Sequence, residues 1–175
     1  NKCPQVHLIG RDGKVAAAIN KSHCNTHYLP KSTLPKNLIA STDLSLVAKA
    51  DLLLFVVPTK ATRSTAEKLV PLHVPKSAVL LSCAKGIELE TGKRMSQVIG
   101  DYFPENPIAV LSGPNHAEEI AEGLPAAATI GCSDEEVGIA LQDIFATDRF
   151  RSYTNHDIAG IELGGAIKNV FAIAA

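Results

Sequence analysis

Apolar positions fall into short runs separated by segments with helical spacing, the alternation of a layered α/β fold. Residues 6–9 read as a strand, and Asp12 is placed to cap a helix running towards Cys24. Residues 25–41 are loop-like, broken by Pro30 and Pro35, with a short strand expected near Leu38 and Ile39. Asp43 can cap the next helix, ending near Ala50. Residues 52–57 are apolar at every position and stop at Pro58, which predicts a parallel strand covered on both faces. A helix is expected after Thr59, a buried strand over 78–83, a helix over 94–102, and strands over 108–111 and 126–130. Ser133 with Glu136 reads as a capping box that opens a helix through Phe145. Residues 150–153 predict an edge strand, and the chain from His156 onward a helix.

A doubly wound dinucleotide fold begins with a strand and a glycine-rich turn, whose amides and following helix hold a pyrophosphate. No GxGxxG occurs in the 175 residues. Residues 6–9, followed by Gly10-Arg11-Asp12, instead read as the second strand of such a fold, whose end meets the adenosine ribose. The expected fold is therefore α/β: a Rossmann-like doubly wound sheet lacking its first strand and glycine-rich turn, followed by a helix. Residues 1–155 are assigned to a partial dinucleotide-binding domain, and the helix over 156–175 lies beyond it. The sequence is expected to be a piece, with roughly 25 residues upstream, one strand–turn–helix unit.

Composition excludes several classes. The chain is 46% hydrophobic and 20% charged, enough apolar material for a sizeable core, and its net charge is -1. Without basic runs there is no electrostatic footprint for nucleic acid or an anionic membrane. The apolar runs are too short to span a bilayer, and no signal-peptide pattern opens the chain, so a cytoplasmic protein is expected. Cys3, Cys24, Cys83 and Cys132 form no CxxC pair and read as scattered reduced thiols. His23 and His27 have the i, i+4 spacing that can hold a metal on a helix. No carboxylate lies between them and Pro30 soon ends the segment, so no metal is expected.

Several residues could carry chemistry. Lys85 follows a buried strand and precedes Gly86, placing it at the sheet end where open α/β folds bind ligands; otherwise it is a solvated loop lysine. Gly113-Pro114-Asn115 ends another strand at the same crevice, although such residues also make ordinary turns. Gly164 and Gly165 each cost about 1 kcal/mol against Ala inside a helix, so something is expected to approach that face closely. Tight helix packing would serve, but a lysine one turn later, Lys168, would then be desolvated and suited to proton exchange. Arg11 at the end of the second strand can accept a 2′-phosphate, while Asp12 could serve a ribose hydroxyl or cap the helix. The acid pairs Glu88 and Glu90, and Glu118 and Glu119, read as solvated faces.

Four stretches occur in one order: VHLIGRD at 6–12 with Tyr28-Leu29-Pro30 following, AKGIE at 84–88, LSGPNHAEE at 111–119 with Gly123-Leu124-Pro125, and GIELGGAIKNV at 160–170. Together they make the chain similar to the bacterial-type glycerol-3-phosphate dehydrogenases from about Val6 to its end. The resemblance implies interconversion of dihydroxyacetone phosphate and sn-glycerol 3-phosphate with NAD or NADP, supplying glycerol 3-phosphate for phospholipid synthesis. It implies Lys168 as the catalytic acid/base, and substrate contacts from Lys85, Gly113, Asn115, Lys168 and Asn169. Cofactor contacts fall to Arg11, Tyr28, Pro58, Lys85 and Ala117. The resemblance also implies that residues 156–175 are the first helix of an all-α C-terminal substrate domain, truncated here and continuing downstream, and that the protein is a homo-oligomer acting on a small molecule. Asn115 departs from the Ser or Thr common there, and His116 from a common Phe; Asn can still donate and accept. Two other readings stay open: another Rossmann-fold hydroxyacid dehydrogenase with a helical Lys/Asn pair, or a non-catalytic nucleotide-binding module.

Overall fold

The apolar runs become parallel strands in a computed structural model that describes residues 3–174. Strands β1 (Val6–Ile9) and β4 (Leu38–Ser41) pair in parallel, with helix α1 (Gly13–Ser22) between them in sequence. The main sheet runs β5 (Leu52–Phe55), β6 (Val79–Ser82), β7 (Ile108–Ser112), β8 (Ala126–Cys132), β9 (Phe150–Asn155), in that spatial order. Helices α2 (Thr59–Leu69), α3 (Met95–Gly100), α4 (Ala117–Ala121), α5 (Glu135–Phe145) and α6 (Ile158–Ala174) complete it.

Adjacent residues of β6 serve opposite faces, as a pleated strand requires. Leu80 packs with Phe55, Ala66, Leu69, Ile99 and Phe103 under α2 and α3. Leu81 packs with Ala109, Ile130, Cys132 and Leu141 under α5. Helix α6 lies on the α2/α3 face, against β7 and β8.

Several elements differ from expectation. Residues 25–41 hold a hairpin, β2 (Cys24–Asn25) with β3 (Leu29–Thr33), in a stretch whose prolines and polar residues hide any alternation. The segment after Asp43 is a 3₁₀ helix, Leu44–Lys49, with the Asp43 carboxylate accepting from Ser45 N at 2.9 Å. The cap of α5 is Asp134, not Ser133: its Oδ1 accepts from the backbone of Glu136 and Val137. Strand β5 is not covered on both faces, since Leu54 is 42% and Val56 71% exposed. Among the described residues β5 pairs only with β6, and β1 only with β4, leaving each an open edge.

The doubly wound sheet also contains one antiparallel pair, β7 with β8. A five-residue helix such as α4 advances only roughly 7.5 Å, too little to carry the chain back along a strand of roughly 17 Å. The chain therefore turns round at the end of β7.

Candidate active site

Because β5, β6 and β7 are parallel, their C-terminal ends open on one side. Lys85 stands three residues past β6. Its Nζ donates to the carbonyl of Gly113, past the end of β7, at 2.5 Å. Burial, and then repulsion from Lys168, hold the Lys85 ammonium below the ordinary lysine range, with Cys83 acting in the opposite sense. The Cys83 thiol, deeper in the sheet, is pushed up to about 11 by burial.

Gly113 is needed here because a Cβ would meet the Ala127 carbonyl oxygen at 2.5 Å and the Ala128 Cα at 2.9 Å. Asn115 closes the turn, its Nδ2 donating to Ala127 O at 2.9 Å. Its side chain thus anchors to β8, a structural task in addition to the substrate contact implied for it.

Helix α6 runs across β8 and β7 towards these same strand ends. Ile158 and Ile161 lie over Gly131 of β8, and Gly165 lies over Ser112 of β7, whose Oγ would stand 2.6 Å from a Cβ. Residues 158, 161, 162, 165, 168 and 169 form one helical stripe, so Lys168 and Asn169 emerge just past the sheet. The close approach falls on Gly165 alone; a Cβ at Gly164 would meet nothing within 4 Å. The desolvation expected at Lys168 is not found either. Lys168 and Asn169 are exposed, because the last turns of α6 pass beyond the strand ends, and the half-buried lysine is Lys85.

The cofactor-side residues surround this group. Pro58 precedes α2, which has no side-chain cap, and Thr59 beside it is so close to Gly86 that a Cβ there would lie 2.6 Å from Thr59 Cγ2. Ala117 opens α4, which packs against β3, and Tyr28 sits exposed in the turn leading into β3 with its ring edge-on to His27. Arg11 follows β1, exposed and with no hydrogen bond or ion pair among the described residues. Asp12 is committed to α1, its Oδ1 accepting from Lys14 N at 2.8 Å.

Two acids were missed as structural nodes. Glu88 is not solvated: it is 9% exposed and takes a two-pronged ion pair from Arg63 at 2.8 and 2.7 Å. That guanidinium, with the Thr91 hydroxyl, holds the Glu88 carboxyl down to about 2. Glu162, on α6, is 6% exposed and bonded to Arg94 and Ser96. Its signal was present: an acid in the buried stripe of a helix is almost never left unpaired. Glu90, Glu118 and Glu119 are exposed as expected. The His23/His27 spacing is not helical, since His23 ends α1 in the left-handed region at φ 48°.

Residues 1–138 match the family described as NAD-dependent glycerol-3-phosphate dehydrogenase N-terminus. The chain belongs to that family. It is 46% identical over 173 residues to the NAD(P)+ glycerol-3-phosphate dehydrogenase of Streptomyces griseus, covering 97% of this chain and 51% of that protein. The crystal structure of glycerol-3-phosphate dehydrogenase from Coxiella burnetii superposes with a TM-score of 0.88 at 29% identity, over 97% of this chain and 52% of that one. That from Plasmodium falciparum gives 0.90 at 30%, over 97% and 49%. The chain spans about half the length of the curated relatives it matches. For a dehydrogenase N-terminal unit, the crevice at the ends of β5, β6 and β7 is the expected dinucleotide side of the sheet.

Proposed function

We propose that this chain is most of the nucleotide-binding half of an enzyme that interconverts dihydroxyacetone phosphate and sn-glycerol 3-phosphate with NAD(H) or NADP(H). The observation that carries the reading is the meeting of two elements that each bring a lysine: Lys85, just past β6, has its Cγ 3.7 Å from where a Cβ on Gly165 would stand, one turn before Lys168 on α6. Like charges converge at a cost unless a developing negative charge uses them.

The residues fit a dinucleotide in part. Arg11 offers an uncommitted cation at the end of β1, and Pro58 and Lys85 line the ends of β5 and β6. The cofactor supplies the hydride. Lys85, held by the Gly113 carbonyl, places its ammonium where a ketone oxygen gains negative charge. Lys168 donates the proton that turns this oxygen into a hydroxyl, and takes it back in the reverse direction. Gly113, Asn115 and Asn169 orient the substrate beside them.

A further strand bonded to both β1 and β5 completes the sheet in this reading, and a helical domain covers the end of α6. Supporting this, Leu8 and Leu54 are 41% and 42% exposed beside the open edges, and Phe171 and Ile173 are 66% and 86% exposed on α6. The enzyme acts on a small molecule as a cytoplasmic homo-oligomer, with no nucleic-acid or membrane partner. Among the described residues no helix is long and apolar enough to cross a membrane.

The test uses the full-length gene product. Dihydroxyacetone phosphate should drive saturable NADH or NADPH oxidation, and 3-oxo acids should not. Oxidation with the acids alone would transfer the reading to a hydroxyacid dehydrogenase.

A further inference from the structure

Helix α6 rests on the sheet through contacts without direction. Gly131 meets Ile158 and Ile161, and Gly165 meets Ser112, all by van der Waals approach. Such contacts hold α6 close to the sheet, and its start is tethered where Asn155 Oδ1 accepts from Asp157 N and Asp157 Oδ1 from Gly160 N, both at 2.8 Å and well short of Lys168. Lys168 stands one turn past the last of the sheet contacts, so a small slide of α6 displaces its ammonium directly.

Nearer to Lys168, the directional contacts come from Glu162, which ties α6 to a second helix. Its Oε1 accepts from Ser96 N at 2.8 Å, and its Oε2 accepts from Ser96 Oγ at 2.5 Å and Arg94 Nη1 at 2.6 Å. Arg94 occupies the cap position of α3, but its guanidinium has no acceptor to offer the helix. The carboxylate of another helix does the capping instead. Burying a paired charge is weak support for stability, and an apolar residue of similar volume often serves as well or better. What the three bonds add is a fixed position.

The frame they attach to also carries Lys85. The loop from Lys85 to Arg94 is held at Glu88 by Arg63 of α2 and at Lys93 by Asp101, which follows α3. Both lysines are thereby referenced to one set of bonds, Lys85 at the start of the loop and Lys168 through Glu162 at its end.

We propose that Glu162 is a positioning residue for Lys168, clamping α6 to the start of α3 so that the Lys168 ammonium stands at a fixed place beside Lys85. This rests on the reading of Lys168 as the acid of the reaction. Glu162 itself lies two turns from that ammonium and touches no reacting atom.

Glu162→Gln in the full-length enzyme is the test. The amide keeps the size but has one acceptor oxygen for donors on two sides. Misplacement by 1 Å can cost on the order of 10²-fold, so kcat should fall about 10- to 100-fold. NADH Kd should stay near wild type, while the thermal unfolding midpoint should fall, because the Arg94 charge loses its buried partner. A purely structural role would lower the midpoint to the same extent but leave kcat per folded enzyme intact. Where Glu162→Gln fails to accumulate as folded protein, Ser96→Ala removes one bond and keeps the backbone donor. It should lower kcat roughly five-fold, the worth of one hydrogen bond. An active wild type whose folded variants keep their kcat overturns the positioning role alone. A wild type inert towards dihydroxyacetone phosphate overturns this role and the functional reading together.

Discussion

The carbonyl oxygen of Ala127 lies 2.5 Å from where a side chain on Gly113 would begin, and the same oxygen accepts a hydrogen bond from Asn115 Nδ2 at 2.9 Å. Strands β7 and β8 therefore meet at their end across a glycine that backbone atoms, not a movable side chain, keep bare. The Gly113 carbonyl is in turn the acceptor for Lys85. Gly113→Ala should destabilise the protein by about 1–3 kcal/mol, the usual cost of overpacking. It should also raise the KM for dihydroxyacetone phosphate by moving the anchor of Lys85. Urea unfolding and steady-state kinetics of the full-length enzyme check this. A variant of wild-type stability would show that β7 and β8 can part without cost.

In the proposed reading, cofactor choice turns on Arg11. With Asp12 spent on the first turn of α1, the end of β1 presents a cation and no free acid. A guanidinium suits a 2′-phosphate better than a 2′-hydroxyl. The complete enzyme should use NADPH at least as well as NADH, and Arg11→Ala should lower kcat/KM for NADPH more than for NADH. Comparing kcat/KM for both cofactors decides it; a strong NADH preference untouched by the substitution would remove Arg11 from the site.

The parts legible in the sequence were those carried by local pattern. Asp12 as a cap, a strand within the run over 52–57, and Lys85 at a strand end follow from runs and spacing along a few residues. The exposure of Leu54 was not legible, because an apolar run announces a strand without saying whether a neighbour lies on each side. The antiparallel turn at β7 depended on how short α4 is, a boundary that pattern locates poorly. Lys168 was read as buried from the glycines before it. Of these, Gly165 alone serves the sheet contact at Ser112, and the helix then outruns the sheet. Glu88 and Glu162 were the costliest omissions, since each is paired with a residue distant in sequence, 25 positions away for Arg63 and 68 for Arg94.

Acid should weaken the fold through Glu88. Its carboxyl titrates at about 2 in the folded chain against an ordinary 4.5, first because of the Arg63 hydrogen bonds and then because of Thr91. A lowered folded value means the contribution is complete above the unfolded value and is lost as pH falls from about 4.5 towards 2. Unfolding free energy measured across that range should therefore drop more steeply in wild type than in Glu88→Gln. Parallel pH profiles for the two proteins would show that the ion pair adds nothing.

The two lysines should separate kinetically. Lys168 stands exposed at the end of the α6 stripe, whereas Lys85 is tied to Gly113, and the proposed reading makes the first the acid and the second a fixed cation. Lys168→Met keeps the length and removes the acid, so kcat should fall roughly 10²–10⁴-fold, the usual worth of general acid–base catalysis. NADH binding should change little. Lys85→Met should damage kcat and the KM for dihydroxyacetone phosphate together, as for a contact made in both ground and transition states. Repulsion from Lys168 helps hold Lys85 below the ordinary lysine range, so losing Lys168 should raise Lys85 towards it. The polarising cation then survives to higher pH, and the basic limb of the residual activity in Lys168→Met should shift upward. A Lys168→Met enzyme with near-normal kcat from neutral to basic pH would remove this lysine from the chemistry.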